Sequence, residues 1–299
     1  MGFQWIGKSP DGSTVTLHRF RESLFQKASY YSPEWEAANP GISRVGSILD
    51  VETTGLHHES SKVIEIGIRT FRFNRITGEF LEPLERYSAF EDPGEPLDEE
   101  IRNLTGLTDE MLKGQTIDWG TVDRLLSGSV IVIAHNASFD RPFVDKKSPV
   151  SREKIWGCSI KQLDWHSKGF TSQKLDVLSI YHGFFTDAHR ALNDAEALLH
   201  LLSFTDPASQ KPYLCELLEA ARKPTVHVSA TYSPFESKDH LRRRSYRWDP
   251  QGKVWWKEVQ KEELDQEIRW LEEAVYGGAF RGKTREITPT DHFKSESGA

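Results

Sequence analysis

The chain has 299 residues, 37% of them hydrophobic and 28% charged, with a formal net charge of −7. That length holds one large domain, or a medium domain with a small one beside it. No apolar run approaches 18 residues, which excludes a membrane-spanning helix and a membrane partner of that kind, and two cysteines, Cys158 and Cys215, make neither a disulfide framework nor a zinc site.

The N-terminal MGFQWIGKSPDGS lacks the basic and apolar regions of a secretory signal, so a reducing, cytoplasmic location is expected. Charge is uneven along the chain: residues 1–221 carry −9 and residues 222–299 carry +2. Nucleic-acid binders usually show a basic face, so the total counts mildly against one. An acidic body suits a site neutralised by bound cations or an ordinary acidic cytosolic protein, and charge alone favours the second.

Residues 1–43 read as an N-terminal extension, with SPDGSTVTLHRF as a hairpin and SPEWEAANPG as a short helix. From 44 the pattern sharpens. RVGSILDVETTG reads as a buried strand, and KVIEIGIRTFRFN alternates with strand period, Glu65 and Gly67 on one side and Ile64, Ile66 and Ile68 on the other. After an RITG turn, EFLEPLERYSAF is a third strand whose Pro83 places it at a sheet edge. DEEIRNLTG, TDEMLKG and GTVDRLLSG are helix and loop; SVIVIAHN is a short strand; ASFDRPFVDKK opens a helix; QKLDVLSIYHG, RALNDAEALLHLLSF and KPYLCELLEAARK are further helices. This order implies an α/β fold with helices on a mixed sheet. A small α+β module is expected over 223–280, with TVHVSA a strand, SPFESKDHLRRRSY a helix, YRWDPQGKVWWKEV a hairpin and KEELDQEIRWLEEAVYG an amphipathic helix; 281–299 reads as a flexible tail.

Two carboxylates, Asp50 and Glu52, end the first long strand, and the two-residue period puts them on one face. Two like charges so close each raise the other's pKa unless something positive lies between them. On its own D-x-E also describes two exposed acids at a strand end. Asp140, in AHNASFD, falls in the first turn of a helix, where the dipole favours an acid. Asp194, in HRALNDAEALL, sits early in a long helix, with His189 five residues before it. Each is individually bland, as a helix-start acid, a surface Asp or a capping His.

The ordered set is not bland. DVETTG after one strand, HNASFD after another and HRALND opening a helix resemble the DEDDh group of 3′→5′ exonucleases, the family of the proofreading epsilon subunit of bacterial replicative polymerase. The separations, 88 residues from Glu52 to Asp140 and 54 from Asp140 to Asp194, are family-like, and the likeness covers roughly residues 44–204, with the exonuclease domain expected over 44–222. The resemblance implies a ribonuclease H-like mixed β-sheet flanked by helices. It implies Asp50, Glu52, Asp140 and Asp194 as ligands of two Mg²⁺ or Mn²⁺ ions, hard cations that prefer carboxylate oxygen and as a pair clamp a phosphate. It also implies His189 as general base, a role imidazole suits near neutral pH; Arg190 stands where a tyrosine-type site would need tyrosine.

By the same resemblance Thr53 lies near the terminal 3′-OH, Leu56 and Leu107 wedge or stack against the last base, and His135, Asn136 and Phe139 line the cleft. Core packing is the plain alternative for Leu56, Leu107 and Phe139. In the C-terminal module Arg242, Arg243 and Arg244 stand near Trp255 and Trp256, a basic and aromatic interleaving that can track a nucleic-acid strand. The alternative is a small core with an exposed Arg face. This stretch looks like a module appended to some bacterial exonucleases of the family, and single-strand binding or homodimer formation are the roles it implies.

The expected activity is metal-dependent removal of nucleoside monophosphates from single-stranded 3′ ends, DNA first and RNA as the alternative. A polymerase-associated proofreading subunit is less favoured, given the two extra segments. A non-catalytic scaffold that kept the fold is disfavoured by the complete acid and histidine set.

Overall fold

The structure, a computed structural model, describes residues 9–11, 13–25, 27–187 and 189–295. Two compact units partition the chain, one built from the residues up to Ala221 together with Phe293 onward, the other from Arg222–His292.

In the first unit β1 (His18–Arg19) pairs in parallel with a late strand, and Ser32 caps α1 (Pro33–Ala38) by accepting the Trp35 N–H. The long strands β2 (Ser43–Thr53), β3 (Val63–Asn74) and β4 (Phe80–Phe90) form an antiparallel meander. Then come α2 (Glu99–Thr105), α3 (Asp109–Leu112), α4 (Trp119–Ser127), β5 (Val132–Ala134), α5 (Ala137–Lys147), α6 (Pro149–Arg152), β6 (Trp156–Cys158) and α7 (Ser159–Gln162). The unit closes with α8 (Leu175–Tyr181), β7 (Phe184–Phe185), α9 (Ala191–Ser203) and α10 (Tyr213–Ala221). The main sheet has the order β4-β3-β2-β5-β6, with β5 parallel to β2 and β6 parallel to β5. Pro83 is indeed on an edge strand. This is the mixed, helix-flanked sheet of the ribonuclease H-like class.

Strand alternation divides the core into two layers. Ile48, Phe71 and Ile133 pack with Leu198, Leu199 and Leu202 of α9 and with α10. Leu49, Val51, Ile66 and Ile68 pack on the other side with Val122, Leu125 and Leu126 of α4 and Phe143 and Val144 of α5. Every large apolar side chain so buried contributes about 1.5–3 kcal/mol. Asp50 and Glu52 share the face of Ile48, so they point toward α9.

The extension is part of this layer: Phe25 joins the α9 core cluster, and His18 and Arg19 pair with Phe184 and Phe185. Residues 1–8 of the expected extension lie outside the described residues.

The second unit contains β8 (Thr225–Ser229), α11 (Lys238–Arg243), β9 (Arg247–Asp249), β10 (Val254–Gln260), α12 (Leu264–Leu271) and β11 (Lys283–Ile287). All are antiparallel in the order β11-β8-β10-β9. Val226, Val228 and Val259 face Leu241, Leu271 and Val275. After α12 a π turn over Glu272–Tyr276 ends at Gly277 in the left-handed region, φ 58°. The expectation of a loose tail from 281 is corrected here. KTREI pairs along β8 as an edge strand, its polar residues tolerated because one face and one edge meet solvent. Phe293 packs against the α4–α5 core layer of the first unit, and residues 296–299 lie outside the described residues.

Candidate active site

Three segments distant in sequence supply the acids. Asp50 and Glu52 come from the C-terminal end of β2, where the pairing with β3 is irregular between Glu52 and Thr53, a bulge of the kind that re-aims side chains. Asp194 comes from the first turn of α9. Ligand oxygens of Asp50, Glu52 and Asp194 all lie within 4.8 Å of one another. Asp140, in the first turn of α5 and 2% exposed, approaches from the opposite side of the sheet. Its Oδ1 accepts the Val51 N–H at 3.2 Å, which pins α5 to β2 between the two strand acids.

A glycine makes the approach of α9 feasible. Gly67 pairs with Asp50 across β2 and β3, and a Cβ there would lie 2.1 Å from the Leu192 nitrogen and 2.2 Å from the Ala191 carbonyl carbon. Only glycine lets the start of α9 touch the sheet at this point, and that contact delivers Asp194 to the strand acids.

The electrostatics match crowded carboxylates. Burial and then the charges of Asp140, Asp194 and Glu52 push Asp50 well above the usual carboxylate range. Burial, with Asp194 and Glu65 next, pushes Glu52 up to about 8. Burial raises Asp140 to about 7 and Asp194 to about 6, the latter partly offset by the His189 N–H it accepts. These acids repel one another and lack full hydration, and they offer only hard oxygen donors. Such a set of hard oxygen donors fits a divalent cation.

His189 is exposed on the loop before α9. Its backbone is in the left-handed region, φ 63°, uncommon for a non-glycine residue and often found at functional sites. Its N–H donates to Asp194 Oδ2 at 2.9 Å, so the loop conformation and the acid are fixed together.

One residue beside the acids was not singled out in the sequence. Glu65 is 1% exposed, lies opposite Glu52 in the β2–β3 register, and pairs with Arg190 Nε at 3.3 Å while also accepting the Ala191 N–H. It ties the start of α9 to β3. An acid inside the apolar KVIEIGIR run was the available signal.

Of the expected substrate contacts, Leu56 is 80% exposed on the β2–β3 loop. Thr53 is buried with its hydroxyl donating to the Gly55 carbonyl at 2.7 Å. Asn136 is exposed just before α5, and Phe139 is half-buried with its ring 5.1 Å from Phe143. The wedge expected of Leu107 is corrected: it is fully buried with Ile64, Leu97 and Leu112, in the packing role that was its alternative. His135 has both ring nitrogens engaged, at 2.7 Å from Ser159 Oγ and 2.7 Å from the Gln173 carbonyl, and burial lowers its pKa to about 4. It is a neutral, bridging histidine.

In the second unit Arg244 is held by Glu267 at 3.2 Å and Trp255 turns inward against the small core. Arg242 and Arg243 remain exposed on α11. Trp256 lies on the opposite face of the sheet from Trp255.

The family model described as Exonuclease, of RNase T type, matches residues 47–202, which span all four acids and His189. The chain belongs to the RNase T exonuclease family. By that membership it is a nuclease, a hydrolase of phosphodiesters. Among curated relatives, the DNA polymerase III PolC-type of Halalkalibacterium halodurans is 35% identical over 184 residues, covering 56% of this chain and 12% of that protein. That of Staphylococcus aureus is 38% identical over 171 residues, covering 52% and 11%. This exonuclease chain therefore spans only about a tenth of the length of the curated relatives it matches. Solved structures similar to it include Exonuclease X in complex with 5′ overhanging duplex DNA, at 23% identity and TM-score 0.41, covering 57% of this chain and 99% of that one. The zinc-ion-bound E. coli ExoI–ssDNA complex is 15% identical with TM-score 0.47, covering 63% and 48%.

Proposed function

We propose that this exonuclease is divalent-metal-dependent and works 3′→5′, releasing nucleoside monophosphates from single-stranded DNA ends. The observation that carries the reading is the meeting of Asp50, Glu52 and Asp194 within 4.8 Å, with Asp140 tied to the backbone between the first two. Asp50, Glu52, Asp140 and Asp194 would hold two Mg²⁺ or Mn²⁺ ions, which when bound activate water and stabilise charge on the leaving 3′ oxygen.

The chain's own part is positioning and proton transfer. His189, fixed beside Asp194 through its N–H, takes the proton of the attacking water. The Thr53–Gly55 hydrogen bond stiffens the backbone that would flank the terminal 3′-OH. Leu56 is exposed and free to pack on the terminal base, with Asn136 and Phe139 alongside. Stacking and backbone contacts of this kind tolerate most sequences. DNA is favoured over RNA because the curated relatives carry the name DNA polymerase. The same match favours, as a second reading, action inside a polymerase assembly; co-purification with a polymerase tests it.

The direct test is a 5′-end-labelled oligonucleotide, in matched DNA and RNA versions. Stepwise shortening from the 3′ end with Mg²⁺, abolished by EDTA and by a 3′ block, is the expected result. Endonucleolytic cuts, or shortening that persists in EDTA, would overturn the reading.

A further inference from the structure

One face of the second unit's four-stranded sheet packs the small core; on the other the Thr225–Ile287 end is covered as well, with Ile287 8% exposed and the Thr225 hydroxyl 3.4 Å from His292 Nε2, while the rest carries exposed side chains. Its register places Arg247 of β9, Trp256 of β10, His227 and Ser229 of β8, and Lys283 and Arg285 of β11 together on the other face. Opposed residues of an antiparallel pair point the same way, and Val226, Val228 and Val259 take the covered side.

The open face has an aromatic centre. Trp256 and His227 are stacked, with ring centroids 5.1 Å apart and planes 18° from parallel, and the Arg247 guanidinium lies 5.8 Å from the Trp256 ring. Indole, imidazole and guanidinium thus form one stacked cluster on this face. Around them Arg247, Lys283 and Arg285 are exposed, and among the described residues none of the three has a carboxylate partner. The acids on this face are Glu258, and Asp249, whose oxygens accept the Gln251 and Gly252 N–H groups of the β9–β10 turn. Positive charge is in excess, in contrast to the −7 of the whole chain.

We propose that this face binds single-stranded polynucleotide, with bases stacking on the Trp256–His227–Arg247 cluster and phosphates paired to Lys283, Arg285 and Arg247. Every base presents a π surface, and guanidinium planes as well as aromatic rings accept stacked bases. A duplex keeps its base faces inside, so the surface selects single strands. The inference takes from the nuclease reading only the class of substrate. It also moves the nucleic-acid role from Arg244 and Trp255, which the small core absorbs, to the opposite side of the sheet.

The test is fluorescence anisotropy of the full chain in EDTA, with labelled oligo-dT, oligo-U and a duplex of equal length, so that binding is read with hydrolysis silent. Failure of the nuclease reading would appear as absent cleavage in Mg²⁺ and leave this measurement intact. Trp256→Ala weakens single-strand binding by about 10-fold, whereas Trp256→Phe, which keeps an aromatic plane, restores most of it. The exposed triple variant Arg247→Ala/Lys283→Ala/Arg285→Ala lowers the slope of log affinity against log salt by about 2, as expected for three lost phosphate contacts to a single strand. Surface substitutions of this kind leave the fold intact. Unchanged affinity and salt slope in the triple variant overturn the proposal. So does a preference for the duplex, or a loss of self-association with oligonucleotide binding unaltered.

Discussion

The two sheets of this protein manage charge in opposite ways. In the five-stranded sheet both faces are covered, and the acids Asp50, Glu52 and Glu65 sit at one end on the α9 side, with Asp140 and Asp194 brought in by helices. Negative charge is concentrated where water is scarce, so the arrangement is unfavourable until cations arrive. In the four-stranded sheet one face carries the exposed Arg247, Lys283 and Arg285, and its surplus is positive. The lesson is that the same alternation of side chains gathers acids where helices cover the sheet and presents basic and aromatic groups where its strands are exposed.

The largest expected effect follows from removing one buried charge while keeping its hydrogen bond. Asp140→Asn can still accept the Val51 N–H, so the fold persists, yet hydrolysis should fall by at least about 1,000-fold, equivalent to roughly 4 kcal/mol of lost transition-state stabilisation. Without metal, the same variant should melt no lower than wild type, since a repelling acid has been neutralised. Single-turnover rates and melting curves read the two quantities separately.

Gly67→Ala tests the geometry instead of the charge. The added methyl must push α9 away from β3, carrying Asp194 and His189 with it. Displacement of about 1 Å costs on the order of 100-fold in rate, with all acids still present. Wild-type activity in this variant would show that the close approach of α9 is not needed.

Leu107 and Leu56 separate packing from contact. Leu107→Ala should cost about 2–5 kcal/mol of stability, as for a fully enclosed leucine. Leu56→Ala should change stability by no more than about 0.5 kcal/mol while raising KM for oligonucleotides. The reverse pattern would return Leu107 to the substrate.

The smallest effect is on pH dependence. Glu52, Asp140 and Asp194, raised to about 8, 7 and 6 in the metal-free protein, ionise more readily when unfolded, near the ordinary carboxylate values of about 4. The folded state therefore holds more protons, and stability is lost as pH rises from about 4 to about 8. The metal-free melting temperature should fall across that range, by several degrees, and Mn²⁺ should restore it most at the alkaline end. A melting temperature that rises from pH 5 to 8 without metal would contradict the crowding of acids.

Much of this was legible in the chain. The long strands β2, β3 and β4 announce themselves by alternation, and α9 by apolar spacing at 195, 198, 199 and 202. The two-residue period alone puts Asp50 and Glu52 on one face. What was not legible depends on contacts between distant segments. β1, β6 and β7 have only two or three residues, too few for any period to show. KTREI reads as tail because an edge strand with a solvated face needs little apolar content. Gly67 reveals its role only when α9 is laid upon it. Glu65 alternates as a polar residue should, and only the cover of α9 and the Arg190 bridge make it a buried partner of the site. Leu107 could face a base or the core on spacing alone; its packing with Leu97 and Leu112 decides it.

The central claim is that acids from β2, α5 and α9 jointly hold divalent cations. A crystal structure with Mn²⁺, read by anomalous scattering, tests it most directly. Two manganese peaks bridged by the side chains of Asp50, Glu52, Asp140 and Asp194 are the result this account predicts, and a manganese-saturated crystal with no peak among those four carboxylates would contradict it.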